Sequence, residues 1–378
     1  MDYMNETGYL VAALVTIGLI YYRLILLSAI QWLIFERQQR KVSTQTNLNG
    51  NEKLQRIVPI LDKDPSTLKP PVYRPFKSGP FNLTMGLQSL NTDEWIEIDC
   101  HYKEQMKLKD DFFTKRPDET VLWKPSTENG SREALEMLVD YLPQRFPNMF
   151  RKTNVGIDNL ITGESFDLTK NLKIHPLEIG SRLVQEDLVL MQYEASDEFY
   201  HLNAQAVCFP AGWVPKEKFL LPIWALHMPN VPLFEEKLKF SVNRFFSKLQ
   251  EDKPVIRLNW FLQTDDKLWK AENLHRQTSG QDTSITAENV GEKMYLRCER
   301  QTLRRLPKSQ DILFTIKTYL TPMSEVASDS AVAKRFATCL RNLPQSVANY
   351  KSLPVFGEAV LGYLDSMSQS EQINGTCE

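Results

Sequence analysis

YLRCERQTLRRLPKSQDILFTIKTY, Tyr295 to Tyr319, reads as two extended segments joined by a turn at Pro307, Lys308, Ser309 and Gln310. Side chains alternate between the two faces of an extended chain. Arg297, Glu299 and Gln301 therefore share one face of the first segment, while Leu296 and Cys298 look the other way. In the second segment Ile312, Phe314 and Ile316 alternate with Leu313, Thr315 and Lys317, an apolar face backed by a mixed one. Charged groups in line on a strand are tolerated in an interior only where they are paired or meet a ligand. The plainer reading is a sheet edge with the charges in water, paired across strands. Periodicity alone leaves both open.

Outward from this pair, Ile256–Leu262 reads as a third strand with Arg257, Asn259 and Phe261 on one face, and residues 263–290 as a long polar loop. Leu188–Glu194 and Tyr200–Cys208 form a hairpin around Ala195–Glu198. Phe234, Leu238, Val242, Phe245 and Leu249 recur at helical spacing after Pro232 and predict a core-facing helix. Ser131 is a candidate N-cap for a helix to Leu142 that Pro143 ends. Further helices are expected over 331–343 and 356–366. Strands with helices before, between and after them give an α+β fold on an antiparallel sheet. The fingerprints of dinucleotide, phosphate-loop, serine-hydrolase and zinc-protease sites are missing from the sequence.

At 378 residues and 42% hydrophobic content the chain buries a core of one large or two smaller domains. A net charge of −2 provides no field for nucleic acid, so none is expected as a partner. The five cysteines are widely spaced with no C-x-x-C pair, which argues against a disulfide framework or zinc site and for a reducing compartment.

From Leu10 to Phe35 the chain is apolar apart from Arg23, Gln31 and a few small polar residues. As a helix this run extends roughly 39 Å, against the ~30 Å hydrocarbon layer. Residues 1–41 are read as a membrane anchor, with Tyr9 to Leu27 spanning and Trp32 and Phe35 along the surface. Arg37, Arg40 and Lys41 place the rest in the cytosol by the positive-inside rule. The expected location is a single-pass protein of the endoplasmic reticulum facing the cytosol. Residues 42–70 read as a tether, 71–366 as the folded domain and 367–378 as a disordered tail.

Of the five histidines, His227 stands in PIWALHMPNVP (222–232), an apolar stretch held by three prolines. Rigid backbone and apolar neighbours fix the direction of an imidazole and strip its water, which suits an axial metal ligand. A satisfied core histidine is the alternative. Cys208 precedes Phe209 and Pro210, which supplies no N–H to a thiolate, and reads as a small buried residue. Arg257, Arg297, Arg300, Arg304 and Arg305 are suited to binding carboxylates, haem propionates included. Pairing with acids such as Glu299 competes with that role.

The series TMGL (84–87), LPQRFPNMF (142–150), VQED (184–187), VCFPAGW (207–213), LHMPNVP (226–232), RLNWFL (257–262), ERQTLRRLPKS (299–309) and FTIKTY (314–319) resembles the haem-dependent oxidative N-demethylase alpha-subunit-like family over residues 70–365. The resemblance implies a PAS-like antiparallel sheet with added helices that holds a haem. It implies oxidative demethylation of secondary amines, with electrons delivered from NADPH by flavin and iron–sulfur partners. His227 falls on the expected axial iron ligand. Arg297 and Arg300, with Glu299 between them, would contact haem or shape the pocket, with Arg257 as a further cofactor-binding candidate. Glu299, Glu186 and Asp187 are the candidates for proton delivery. The expected protein is a membrane-anchored monooxygenase taking O2, a small or lipophilic substrate and electrons from a partner reductase. A non-catalytic haem sensor or scaffold of the same fold is its rival.

Overall fold

The computed structural model describes residues 57–169, 172–228, 231–271 and 284–374. The expected anchor, and the tether up to residue 56, lie outside them. Among the described residues no helix is long and apolar enough to cross a membrane. The folded part begins earlier than Pro71. Ile57, Ile60 and Leu68, apolar residues in an otherwise polar stretch, pack on the core, and the amide of Ile60 donates to the carbonyl of Arg145.

The strands are β1 (Gln88–Ser89), β2 (Val121–Trp123), β3 (Phe150–Lys152), β4 (Gly156–Asn159), β5 (Ser165–Asp167), β6 (Asp187–Glu194), β7 (Phe199–Ala206), β8 (Val255–Gln263), β9 (Tyr295–Arg305) and β10 (Ile312–Pro322). Seven form one antiparallel sheet in the order β1-β8-β9-β10-β6-β7-β2, and β3, β4 and β5 make a small second sheet. The principal helices are α1 (Tyr102–Lys115), α2 (Glu128–Arg145), α3 (Ile223–His227), α4 (Lys239–Lys248), α5 (Ser330–Arg341) and α6 (Leu353–Asn374).

β9 and β10 pair along their whole length, from Tyr295 opposite Pro322 to Arg305 opposite Ile312. The turn between them closes with Gln310 in left-handed conformation (φ 63°). Glu133 of α2 pins it, accepting from the amides of Lys308 and Ser309 at 2.7 Å each. Gly130 permits this approach, since a Cβ there would lie 2.1 Å from Asp311 Oδ2. The sheet-edge reading of the Arg297 row is overturned. β9 lies between β8 and β10 and is almost wholly buried. Its charges must therefore be paired or face a ligand.

Several elements differ from expectation: the helix expected over Phe234–Leu249 is broken at Leu238, and the strand expected to reach Cys208 ends at Ala206. α2 starts at Glu128, three residues before Ser131, and carries Pro143 inside its last turn. So near the end of a helix, proline does not stop it at once. α6 runs to Asn374, past residue 366. Between Gly362 and Gly375 no glycine or proline interrupts that segment.

The two faces of the sheet differ in kind. On one, α1, α2 and the small sheet cover β6 and β7 through Leu135, Leu138, Leu188, Leu190 and Ala204. On the same face α5 and α6 cover the far ends of β8 and β9 through Trp260, Leu296, Phe336 and Leu364. The other face carries Val189, Met191, Leu202 and Leu303 under a thinner roof built from α3, α4 and Phe234. A cavity of about 1010 Å³ opens there.

Candidate functional site

The odd-numbered residues of β8 and β9 supply the cavity floor. Register sets Arg257 opposite Gln301 and Asn259 opposite Glu299. Cross-strand partners share a face, so these four polar side chains form a block within an apolar surface. They bond to one another: Arg257 Nη1 donates to Gln301 Oε1 at 2.6 Å, Gln301 Nε2 to Glu299 Oε2 at 2.8 Å, and Asn259 Nδ2 to the same Oε2 at 3.3 Å. Arg257 Nε is held by the carbonyl of Met85 at 2.8 Å. Burial weakens the hold of Arg257 on its proton, and the charge of Glu299 opposes that. Around them Val189, Met191, Leu202, Leu303, Phe314 and Ile316 keep the floor apolar.

His227 closes the roof. It is the last residue of α3, whose N-cap, Pro222, presets the backbone for the helix. Nδ1 lies 2.8 Å from the carbonyl oxygen of Ile223, one turn back. A carbonyl only accepts, so Nδ1 carries the proton and Nε2 keeps its lone pair. The ring stacks on Phe234 at 4.6 Å and 7°. Burial pushes its pKa down to about 4, and the charges of Arg257 and Lys218 act in the same direction. The imidazole is therefore neutral at physiological pH. Among the described residues Nε2 has no hydrogen-bond partner, and His227 borders the cavity. A neutral imidazole with one nitrogen anchored and the other free towards a cavity is the form in which histidine binds a metal.

The structure brings together only part of the expected set: His227, Arg257 and Glu299 meet in this cavity, with Asn259 and Gln301. Arg297 does not reach it. Although on the same face as Glu299, it is fully buried and donates to the carbonyls of Phe209 (2.7 Å) and Leu268 (3.0 Å), tying two loops to the sheet. Arg300 has the opposite parity. It is among the residues lining the cavity, but its guanidinium meets Glu97 Oε1 at 3.3 Å and the carbonyls of Trp95 and Glu94.

Glu186 and Asp187 also lie outside the cavity lining. Glu186 Oε1 accepts from the amide of Glu97 at 3.1 Å. Asp187 accepts from the amides of Cys208 and Phe209 at 2.8 and 2.9 Å. Burial raises the pKa of both carboxyls, against the pull of Lys317 on Glu186 and of Lys109 on Asp187. Their place is structural. Of the other histidines, His175 caps a short helix and stacks on Trp123, and His201 is held between Leu220 O and Asp197. Cys208 is buried, with a thiol pKa raised by burial.

Sequence reasoning missed two parts of this region. Tyr73, Glu97, Asp99 and Tyr319 complete the pairing of Arg300 and Lys317, and segments far apart in sequence contribute them. Lys351, in the connection leading to α6, lines the cavity without belonging to any motif.

Residues 86–361, well over half of the chain, match the family described as haem-dependent oxidative N-demethylase, alpha subunit-like. The chain belongs to that family. Haem is the family's cofactor, and its chemistry is that of an oxidoreductase, an oxidative demethylation that uses O2 and a substrate.

Proposed function

We propose that this chain is a haem-dependent monooxygenase that removes a methyl group from an amine in the cavity between His227 and the Arg257–Glu299 block. The observation that carries the reading is His227 itself, with Nδ1 spent on Ile223 and, among the described residues, Nε2 without a hydrogen-bond partner, beside a cavity of about 1010 Å³. That volume is at the upper end of the usual range for small-molecule and cofactor sites. The residues present therefore fit the group. His227 Nε2 would hold the iron, and Arg257 is the cation on the floor. The strand order supports a PAS-like sheet: with β6 to β10 counted first to fifth, the central strands run second, first, fifth, fourth, third.

Bound haem supplies reductive O2 activation and oxidation of a C–H bond next to nitrogen. The chain's own residues bind, orient and exclude water. Val189, Met191, Leu202 and Phe314 form a dry wall for the methyl groups. Glu299, held by Gln301 and Asn259, turns a carboxylate towards the substrate's nitrogen, where it accepts an N–H and moves its proton. Arg257, fixed by Met85 and Gln301, sets a cation beside that carboxylate. The carbinolamine so formed falls apart to the demethylated amine and an aldehyde. Electrons come from a partner reductase. The apolar run at residues 10–35 supports single-pass anchorage in the endoplasmic reticulum with this domain in the cytosol.

The test is turnover of the full chain, loaded with haem and given a chemical reductant and O2, on a panel of secondary and tertiary methylamines. The expected result is demethylated amine and aldehyde in equal amounts. A haem-loaded protein that consumes reductant but yields neither product from any amine contradicts the reading.

A further inference from the structure

Three lysines, Lys109 and Lys317 buried and Lys351 partly buried, differ in how they are satisfied. Lys109 Nζ donates to the carbonyls of Val184 and Glu186 and to Ser181 Oγ, at 2.6–3.1 Å. Lys317 Nζ meets Asp99 Oδ2 at 2.8 Å, the carbonyl of Glu97 at 2.7 Å and Gln185 Oε1 at 3.0 Å. Each of these nitrogens is surrounded by at least three oxygen acceptors. Lys351 is built otherwise. Its Nζ donates to the carbonyl of Trp260 at 2.7 Å, and among the described residues no carboxylate lies within ion-pair distance. The nitrogen rests 3.9 Å from the ring centre of Trp260 and 4.9 Å from that of Phe261. It borders the same cavity as His227 and Glu299.

We propose that Lys351 is a reversible covalent binding site for small aldehydes, its amine set in the cavity wall between two aromatic rings without a counter-ion. A lysine removed from water and left without an acid favours its neutral form, and the neutral amine is the nucleophile towards carbonyls. Three titratable or charged groups act on Lys351: Glu299 of β9, Arg257 of β8 and Cys339 of α5, and Tyr350 adjoins it in sequence. Burial brings the lysine's pKa down to about 7. Arg257 adds to that effect, while Cys339 and Glu299 work against it.

In the step itself, the nitrogen lone pair attacks the carbonyl carbon and a C–N bond forms. The proton lost by nitrogen reaches the former carbonyl oxygen. The C–O bond then breaks, the oxygen leaving as water with the second N–H proton, and the nitrogen lone pair forms the C=N bond of an imine; hydrolysis restores amine and aldehyde. No electrons enter or leave. That demethylation supplies the aldehyde rests on the function proposed above, so the site would retain the reaction's own product close to where it forms.

The experiment bypasses that dependence by adding formaldehyde directly to the full chain, without haem turnover. Imines are trapped with cyanoborohydride at about pH 7, and methylation at each lysine is read by peptide mass spectrometry. A lysine of pKa near 7 is about half neutral there, against less than ~0.1% for an exposed one. Lys351 should be methylated at least tenfold faster than the exposed Lys115 and Lys308, with the preference shrinking towards pH 10 and vanishing in concentrated urea. Labelling of Lys351 no faster than those two, or a preference that survives urea, overturns the proposal. Lys351→Arg must lose the fast-labelling site while circular dichroism shows it folded. A fast site that persists in this variant also overturns it. The Soret spectrum, which reports haem binding, is independent of all these outcomes.

Discussion

One strand, β9, carries charge to both faces of the sheet, and the two faces use it in opposite ways. Beneath the sheet Arg300 and Lys317 stand side by side across the ladder, a repulsive placement. It is offset by Glu97 against Arg300 and by Asp99 against Lys317, with Tyr73 and Tyr319 donating to Glu97. Above the sheet, the hydrogen bonds of Glu299 and Arg257 run to the amide side chains of Asn259 and Gln301 and the carbonyl of Met85, while among the described residues His227 Nε2 has no hydrogen-bond partner. A closed ionic network holds a fold together, and a block of polar groups left facing a cavity is free to meet a ligand.

The contrast breaks most sharply where the closed network is opened. Asp99→Asn leaves Lys317 charged and unpaired in the interior, which should cost about 3–5 kcal/mol and lower the urea midpoint accordingly. Replacing Asp99 and Lys317 together by leucine should cost less than either change alone. Burial pushes the Asp99 carboxyl up, but the charge and hydrogen bond of Lys317, with those from Gln185 and the His101 amide, together hold it below the usual carboxylate range. A double variant worse than both singles would show that the pair is not the unit.

On the cavity face the same isosteric change should act on turnover instead. Glu299→Gln keeps a partner for Gln301 and Asn259 and should leave stability within about 1 kcal/mol, yet lower kcat by about 10²-fold or more. Haem should still bind. A variant that unfolds, or one that turns over normally, removes the distinction between the faces.

A third test concerns a buried group that takes part in neither network. Burial holds His175 at a pKa of about 4, against 6.5 when unexposed to it. Between those values the unfolded chain binds more protons than the folded one. Stability should therefore rise with pH from about 4 and be complete above about 6.5, a contribution on the order of 3 kcal/mol. His175→Asn keeps an acceptor for the amide of Leu177 and should flatten that slope in denaturation series at several pH values. A slope unchanged in the variant assigns it to other groups. The smallest effect belongs to Thr302→Val, which removes the 2.6 Å bond to Thr315 inside the sheet and should cost about 1 kcal/mol without changing turnover.

Much of the fold was legible in local pattern. Alternation in Tyr295–Tyr319, in Leu188–Cys208 and in Ile256–Leu262 marked the five central strands, and Arg257, Asn259 and Phe261 were correctly set on one face. β1, β2 and the small sheet went unread because strands of two to four residues carry too little periodicity. His227 was singled out from its surroundings and Glu299 from its place in the resembling motif, and both line the cavity. Arg297 and Arg300 were not separated from them, because sequence gives the face of a side chain but not its partner. Arg297 shares a face with Glu299 and still ends on the carbonyls of Phe209 and Leu268, brought there by loops that no pattern announces. The same holds for Lys351, which only tertiary contact places against Trp260.

The central claim is that His227 holds haem in the cavity above β8 and β9. The measurement is the absorption spectrum of the full chain, expressed with added haem precursor and recorded reduced and with CO, beside His227→Ala. The account predicts a Soret band that shifts with CO in the wild-type chain and is lost or displaced in the variant. A folded wild-type chain without that band, or a variant whose spectrum is identical to it, would contradict the account.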